Sequence, residues 1–179
     1  MAVSVLSEKG YHGTTMEEVA SNLLMTKGSV YYYFNDKQDL LYQSQIMLLE
    51  KSLENIETVI QQDLPVVEKL QKAIIVHIDY LLSERSGFEM MVKPEHIFSN
   101  EQLGKIFRLR DEYGACFDAL IAEGIEADVF SSVDVKIVRN IILGAMNWVT
   151  QWYSADGKKD KTEIAQSISD YLLRILIKK

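Results

Sequence analysis

An all-α fold is what this 179-residue sequence predicts, and three observations predict it. Only two prolines, Pro65 and Pro94, interrupt the whole length, and proline is the residue a helix interior tolerates least. Apolar residues recur at three- and four-residue spacing through most of the chain, the period that lays them along one helix face. Thr and Asp stand at the starts of several such runs, where their side chains can accept from amides that lack a partner inside the helix.

Taken in order, "AVSVLSEKG" (Ala2 to Gly10) reads as the end of an apolar helix stopped by Gly10. In "TMEEVASNL", Thr15 and Glu18 hold the Ser/Thr-x-x-Glu relation of a capping box. Thr26 is placed to cap "KGSVYYY", and Asp36 with Asp39 to cap the element after it. From Asp36 to about Gln62 the pattern is one long amphipathic helix through Leu40, Leu41, Ile46, Leu49, Leu53, Ile56 and Ile60. Pro65 suits the first turn of another, with Val67, Leu70, Ile74, Ile78, Leu81 and Leu82 on its apolar side. Ser86 to Asn100 is irregular around Pro94, and a further helix runs from about Glu101 to Glu123 with Gly124 as its expected C-cap.

The last two helices carry too much apolar surface for a lone chain. Val133 to Tyr153 is apolar on nearly every side and needs cover all round. After the polar "SADGKKDK", a final stripe repeats at helical spacing. Pairing with a second copy is therefore expected, through Ile141, Ile142, Trp152, Ile164, Ile168, Tyr171, Leu172 and Ile175. The total is about nine helices.

Composition excludes several function classes. Cys116 is the only cysteine, so no intrachain disulfide can form, and its neighbours Ala115, Phe117 and Leu120 suggest buried packing. There is no basic-then-apolar leader and no run near the ~20 apolar residues of a membrane span, so a cytoplasmic chain without membrane association is expected. His12, His77 and His96 are isolated from one another and from any ligand-spaced partner, so no metal is expected. No phosphate loop, nucleophile elbow or dinucleotide fingerprint appears, which leaves catalysis and cofactors without support. An enzyme would need carboxylates or histidines converging on one cavity.

Charge and motif pull in opposite directions. The formal net charge of −7 counts against a simple electrostatic nucleic-acid binder. Up to Gln45 there are three lysines (Lys9, Lys27, Lys37) against five acids (Glu8, Glu17, Glu18, Asp36, Asp39). Yet "TKGSVYYYF" (Thr26 to Phe34) sets a lysine, a glycine and hydroxyls beside three tyrosines. Alone, the aromatic run would read as core packing. In its setting, three short capped helices ahead of long ones, it outlines a helix-turn-helix.

The stretch from Glu8 to Leu41 closely resembles the DNA-binding domain of TetR-family transcriptional regulators. Gly10-Tyr11, Thr14-Thr15, Val19-Ala20, Thr26-Lys27-Gly28, Tyr31-Tyr32-Tyr33-Phe34, Lys37 and Leu40-Leu41 carry the likeness with spacing intact. The resemblance implies that Lys27, Gly28 and Ser29 lie nearest the bases, while Thr15, Thr26, Tyr31, Tyr32, Tyr33 and Lys37 serve the backbone. The chemistry agrees: a cation, a bare backbone and a small hydroxyl permit close approach to a groove, and phenols donate to phosphate without adding charge. Two departures stand out. Leu24 occupies the turn position where the family usually has glycine, so a strained turn is expected. The chain also starts at Met1, inside what the family makes the first helix, without the basic arm often found before it.

"GAMNWVTQWYSADGKKDKTEIAQSISDYLLRIL" (Gly144 to Leu176), with "RLRDEYGACFDALIAEGIEADVF" (Arg108 to Phe130), resembles regulators of fatty-acid and related lipid metabolism within that family. That likeness implies an acyl-CoA or other apolar effector. The expected pocket is lined by Phe88, Met90, Met91, Phe98, Phe107, Tyr113, Phe117, Trp148 and Trp152, with Arg108 and Arg110 for phosphates. The expected organisation is a helix-turn-helix domain over 1–45 and an effector-binding and dimerisation body over 46–179. The expected function is a ligand-responsive regulator, a repressor binding a near-palindromic double-stranded operator as a homodimer. The alternative is a helical lipid- or acyl-CoA-binding dimer whose DNA binding is impaired.

Overall fold

Side-chain caps set where the helices begin. Thr15 accepts from the Glu18 amide while Glu18 returns a bond to the Thr15 amide at 2.9 Å, closing the expected capping box. Thr26 accepts from the Ser29 amide at 3.1 Å, and Asp36 from the Asp39 amide at 2.8 Å. Asp39 itself takes the Asn35 amide at 2.9 Å, and that bond is the main reason its carboxyl titrates below the usual range. Farther on, Asp134 and Asp160 cap two more helices, the second with a capping box to Glu163. Each such cap is worth about 1 kcal/mol.

The structure, a computed structural model, describes residues 13–89 and 94–178. Among these residues there are eight α-helices and no β-strand, only an isolated bridge between Phe130 and Ile177. We number them α1 Met16–Asn22, α2 Lys27–Tyr33, α3 Lys37–Ile60, α4 Val66–Ser83, α5 Arg85–Glu89, α6 Asn100–Glu126, α7 Val135–Trp152 and α8 Lys161–Leu176. A short 3-10 turn, Pro94–His96, precedes α6. Pro65 stands one place before α4, its carbonyl accepting from the Lys69 amide at 3.0 Å. The helix read over Ala2 to Gly10 lies outside the described residues.

Two compact units divide the chain. The first comprises residues 1–50 and 84–108. Its buried side chains include Met16, Val19, Ala20, Val30, Leu40 and Leu41, all with 7% or less of their surface exposed. Tyr42 meets the buried Phe98 edge-to-face, with centroids 5.8 Å apart. The second unit comprises residues 51–83 and 109–179. There α4 lies along α8 and α7, and one apolar cluster joins Leu70, Ile74, Ile78, Phe117, Ile121, Phe130, Ile142, Met146, Leu172 and Leu176.

Gly124 is not a cap. The helix α6 passes through it to Glu126, and the left-handed position belongs to Asp128, at φ 60°. The Val129 amide returns to the Gly124 carbonyl and the Asp128 amide to that of Ile125, both at 3.0 Å, which is a Schellman ending. Glycine is required at 124 for a different reason. A Cβ there would come within 2.0 Å of the Phe130 ring, which is buried against the helix. Gly124→Ala is therefore expected to destabilise the protein by about 2–3 kcal/mol through overpacking, read as a lower urea midpoint.

Candidate functional site

The turn between α1 and α2 follows from one residue in an unusual conformation. Leu24 lies at φ 54° and is 96% exposed. The Met25 amide bonds to the Ala20 carbonyl at 2.9 Å and the Leu24 amide to that of Ser21 at 3.1 Å. This is a second Schellman ending, here with leucine at the position that favours glycine. The turn keeps its shape at a cost of about 1–2 kcal/mol.

Of the seven residues of α2, only Val30 is buried. Tyr31, Tyr32 and Tyr33 are all exposed, Tyr32 to 83%, and the Tyr32 and Tyr33 rings touch edge-to-face at 5.2 Å. Three neighbouring aromatic rings outside any core are not accounted for by folding. Gly28 is equally unexplained from within. An added Cβ would meet nothing nearer than Thr26 Oγ1 at 4.0 Å, and alanine would favour the helix by about 1 kcal/mol. Thr26 and Ser29 place their hydroxyl oxygens 2.8 Å apart beside it. Cap, bare backbone and phenols thus share an exposed face of α2.

Both lysines of this segment are engaged. Lys27 forms an ion pair with Glu17 of α1, and its ammonium also lies 5.7 Å from the centre of the Tyr31 ring. Hydrogen bonding between the two raises the Lys27 pKa and lowers that of Glu17. Lys37 donates from Nζ to the Thr14 carbonyl at 2.7 Å, tying α3 to the segment before α1. Thr15 is exposed, its hydroxyl donating to Glu18 at 3.2 Å. Glu17 has no signal in the sequence beyond helix solvation, because its partner lies ten residues away across the turn.

In the second unit a polar trio runs from partly buried His77 and Tyr113 to the exposed Asn147. His77 Nδ1 lies 2.7 Å from the Tyr113 hydroxyl and Nε2 lies 3.1 Å from Asn147 Oδ1. The amide oxygen only accepts, so Nε2 carries the proton and the tyrosine donates to Nδ1. Tyr113 also packs against the fully buried Phe117, with ring centroids 5.5 Å apart. His77 is thus a satisfied histidine without a metal-ligand-spaced neighbour, its partners coming from α6 and α7.

Burial lowers the His77 pKa from 6.5 to about 4. Above pH 6.5 the ring is neutral in both folded and unfolded chains. As pH falls from 6.5 towards 4, the unfolded chain takes up the proton first, so stability is lost across that window, on the order of 3 kcal/mol in all. A urea midpoint that declines from pH 6.5 to 4, with part of the decline removed by His77→Gln, is the expected outcome. Cys116 sits in the opposite of an activating environment: burial first, then the carboxylates of Glu57 and Glu112, push its thiol pKa up.

The other expected site residues are divided between the two units. Phe88, Phe98, Phe107 and Arg108 belong to the first unit, whereas Arg110, Tyr113, Phe117, Trp148 and Trp152 belong to the second. Met90 and Met91 lie outside the described residues. Trp148 and Trp152 are 65% and 50% exposed on α7 in the single chain. Among the expected dimer residues, Ile141, Trp152, Tyr171 and Ile175 are exposed. Ile142 and Leu172 are buried in their own core, and Ile164 and Ile168 pack against it. The helix α7 is apolar all round because one face is core and the other is bare, and the bare face adds Ile137, Gly144 and Trp148.

Residues 63–176 match the family model described as tetracyclin repressor-like, C-terminal domain, and residues 1–43 match that of bacterial regulatory proteins, tetR family. This chain belongs to the TetR family. It is 27% identical over 175 residues to the fatty acid metabolism regulator protein of Bacillus subtilis (strain 168), covering 96% of this chain and 90% of that one. The crystal structure of the TetR-family regulator PfmR from Thermus thermophilus superimposes with a TM-score of 0.88 at 27% identity, over 97% and 94% of the two chains. AibR, solved with isovaleryl coenzyme A and operator DNA, superimposes with a TM-score of 0.81 over 95% and 92%, a likeness of fold at 21% identity.

Membership makes this TetR-family chain a DNA-binding transcriptional regulator rather than an enzyme. Among the described residues no helix is long and apolar enough to cross a membrane.

Proposed function

We propose that this protein is a ligand-responsive repressor that binds a near-palindromic operator as a homodimer and answers to an acyl-CoA or a similar apolar effector. The observation that carries the reading is the outward face of α2, where three exposed tyrosines flank a glycine whose bare backbone no neighbour requires. In this reading Lys27, Gly28 and Ser29 approach base edges. Tyr31, Tyr32 and Tyr33, with Thr15, Thr26 and Lys37, hold the phosphates. Phenols supply register without charge, which suits a segment this acidic.

The second copy is supported by the bare stripe of α7, Ile137, Ile141, Gly144, Trp148 and Trp152, together with the exposed Tyr171 and Ile175 of α8. Among the described residues, nothing beyond its own helix turn lies within 4 Å of a Cβ placed on Gly144. A glycine in mid-helix costs about 1 kcal/mol against alanine, and close approach by a facing helix is the use that offsets it.

The effector reading draws on the relative from Bacillus subtilis, a fatty acid metabolism regulator, and on the fold shared with AibR. A ligand shifts DNA affinity only by its different affinity for the two states.

Selection of duplexes from a randomised pool tests the first part. A two-fold symmetric site whose affinity falls steeply with salt is expected. Thermal shift against acyl-CoAs of graded chain length tests the second, because a ligand bound only by the folded form raises the melting temperature. The engagement of both Lys27 and Lys37 within the chain favours one alternative, an acyl-CoA-binding dimer with impaired DNA binding. Thermal shifts without any duplex recovered at low salt would select it.

A further inference from the structure

Three of the four acids between Gly13 and Gln45 serve helix starts. Glu18 completes the capping box on Thr15, and Asp36 and Asp39 take amides where α3 begins. Glu17 turns away from that work: its carboxylate meets the Lys27 ammonium, with its own amide as the second hydrogen bond. Lys27 is the first residue of α2, the helix that carries the exposed tyrosines. The segment's other cation, Lys37, already donates to the Thr14 carbonyl.

We propose that Glu17 sets the DNA affinity of this protein by holding Lys27 in the unbound state, as an internal stand-in for a phosphate oxygen, and releasing it when DNA arrives. The inference rests on the reading of α2 as the DNA-contacting helix. A carboxylate and a phosphate present the same chemistry to an ammonium: anionic oxygen accepting a charge-assisted hydrogen bond. Both side chains are more than half exposed, 57% for Lys27 and 55% for Glu17, so solvent screens the pair and it is weak enough to exchange. Exchange leaves the Glu17 carboxylate uncompensated beside an anionic backbone, and juxtaposed like charges oppose binding. Because the free protein holds the Lys27 ammonium on Glu17, the affinity measured is the difference between two similar contacts.

The experiment is a double-mutant cycle with wild type, Glu17→Gln, Lys27→Ala and the double variant. Each is titrated into a duplex that the wild type selects from a random pool and into a mixed-sequence duplex of equal length. Glu17→Gln is expected to bind both duplexes about fivefold more tightly, the size of effect an exposed pair supports. In the Lys27→Ala background the same change is expected to add little, since its route runs through the ammonium. Equal melting temperatures confirm that these surface changes leave the fold intact. No gain from Glu17→Gln, a loss, or an undiminished gain without Lys27 overturns the inference while leaving the reading of α2 in place. A wild type that binds neither duplex overturns that reading, and this inference with it.

Discussion

Gly28→Leu is expected to bring operator binding down to the non-specific level, roughly 1,000-fold or more weaker, without lowering the melting temperature. Position 28 lies in the first turn of α2, and its surroundings within the chain are open, with Thr26 Oγ1 the nearest atom to an added Cβ at 4.0 Å. Leucine is a better helix former than glycine by about 0.8 kcal/mol, so the fold has no reason to reject it. The side chain would instead stand between α2 and whatever the face formed by Thr26, Ser29 and the tyrosines approaches. A recognition helix must bring its backbone close to base edges, and a four-carbon branch there holds the helix off. Loss of binding together with retained stability separates a contact role for the glycine from a folding role. Fluorescence anisotropy on the selected operator, alongside a thermal melt, reads both.

Trp148→Glu is expected to raise the dimer dissociation constant about 1,000-fold. The ring is 65% exposed in the single chain, so the substitution leaves that chain's core untouched. In a two-fold assembly the same residue enters the interface twice. A buried tryptophan is worth about 2 kcal/mol or more as an interface anchor, and two such losses amount to about 4 kcal/mol, or three powers of ten. Ile142→Val is the contrasting variant. Its side chain is fully buried in its own core, so it is expected to cost stability, about 1 kcal/mol, and leave association unchanged. Sedimentation velocity across a concentration series distinguishes the two.

Local chemistry was the legible part of this fold. The caps at Thr15, Thr26 and Asp36 depend on residues three apart, and the sequence shows them directly. The strained turn at Leu24 was legible for the same reason, because one backbone angle decides it. What sequence could not show were choices made at a distance. Gly124 carries the local signature of a cap, but the Phe130 ring, six residues on, claims its space, and Asp128 takes the left-handed position instead. On α7, periodicity could not say which of two apolar faces is core, so the expected stripe grouped the buried Ile142 with the exposed Ile141. His77, Tyr113 and Asn147 lie 36 and 70 residues apart along the chain, and no spacing rule joins them.

The central claim is that the exposed phenols of α2 grip DNA phosphates. Phosphate-ethylation interference on the selected operator, compared between wild type and Tyr32→Phe, tests it most directly. The account predicts interference in symmetric pairs about the operator's two-fold axis, with one pair missing when the Tyr32 hydroxyl is removed. An interference pattern identical in the two proteins would contradict it.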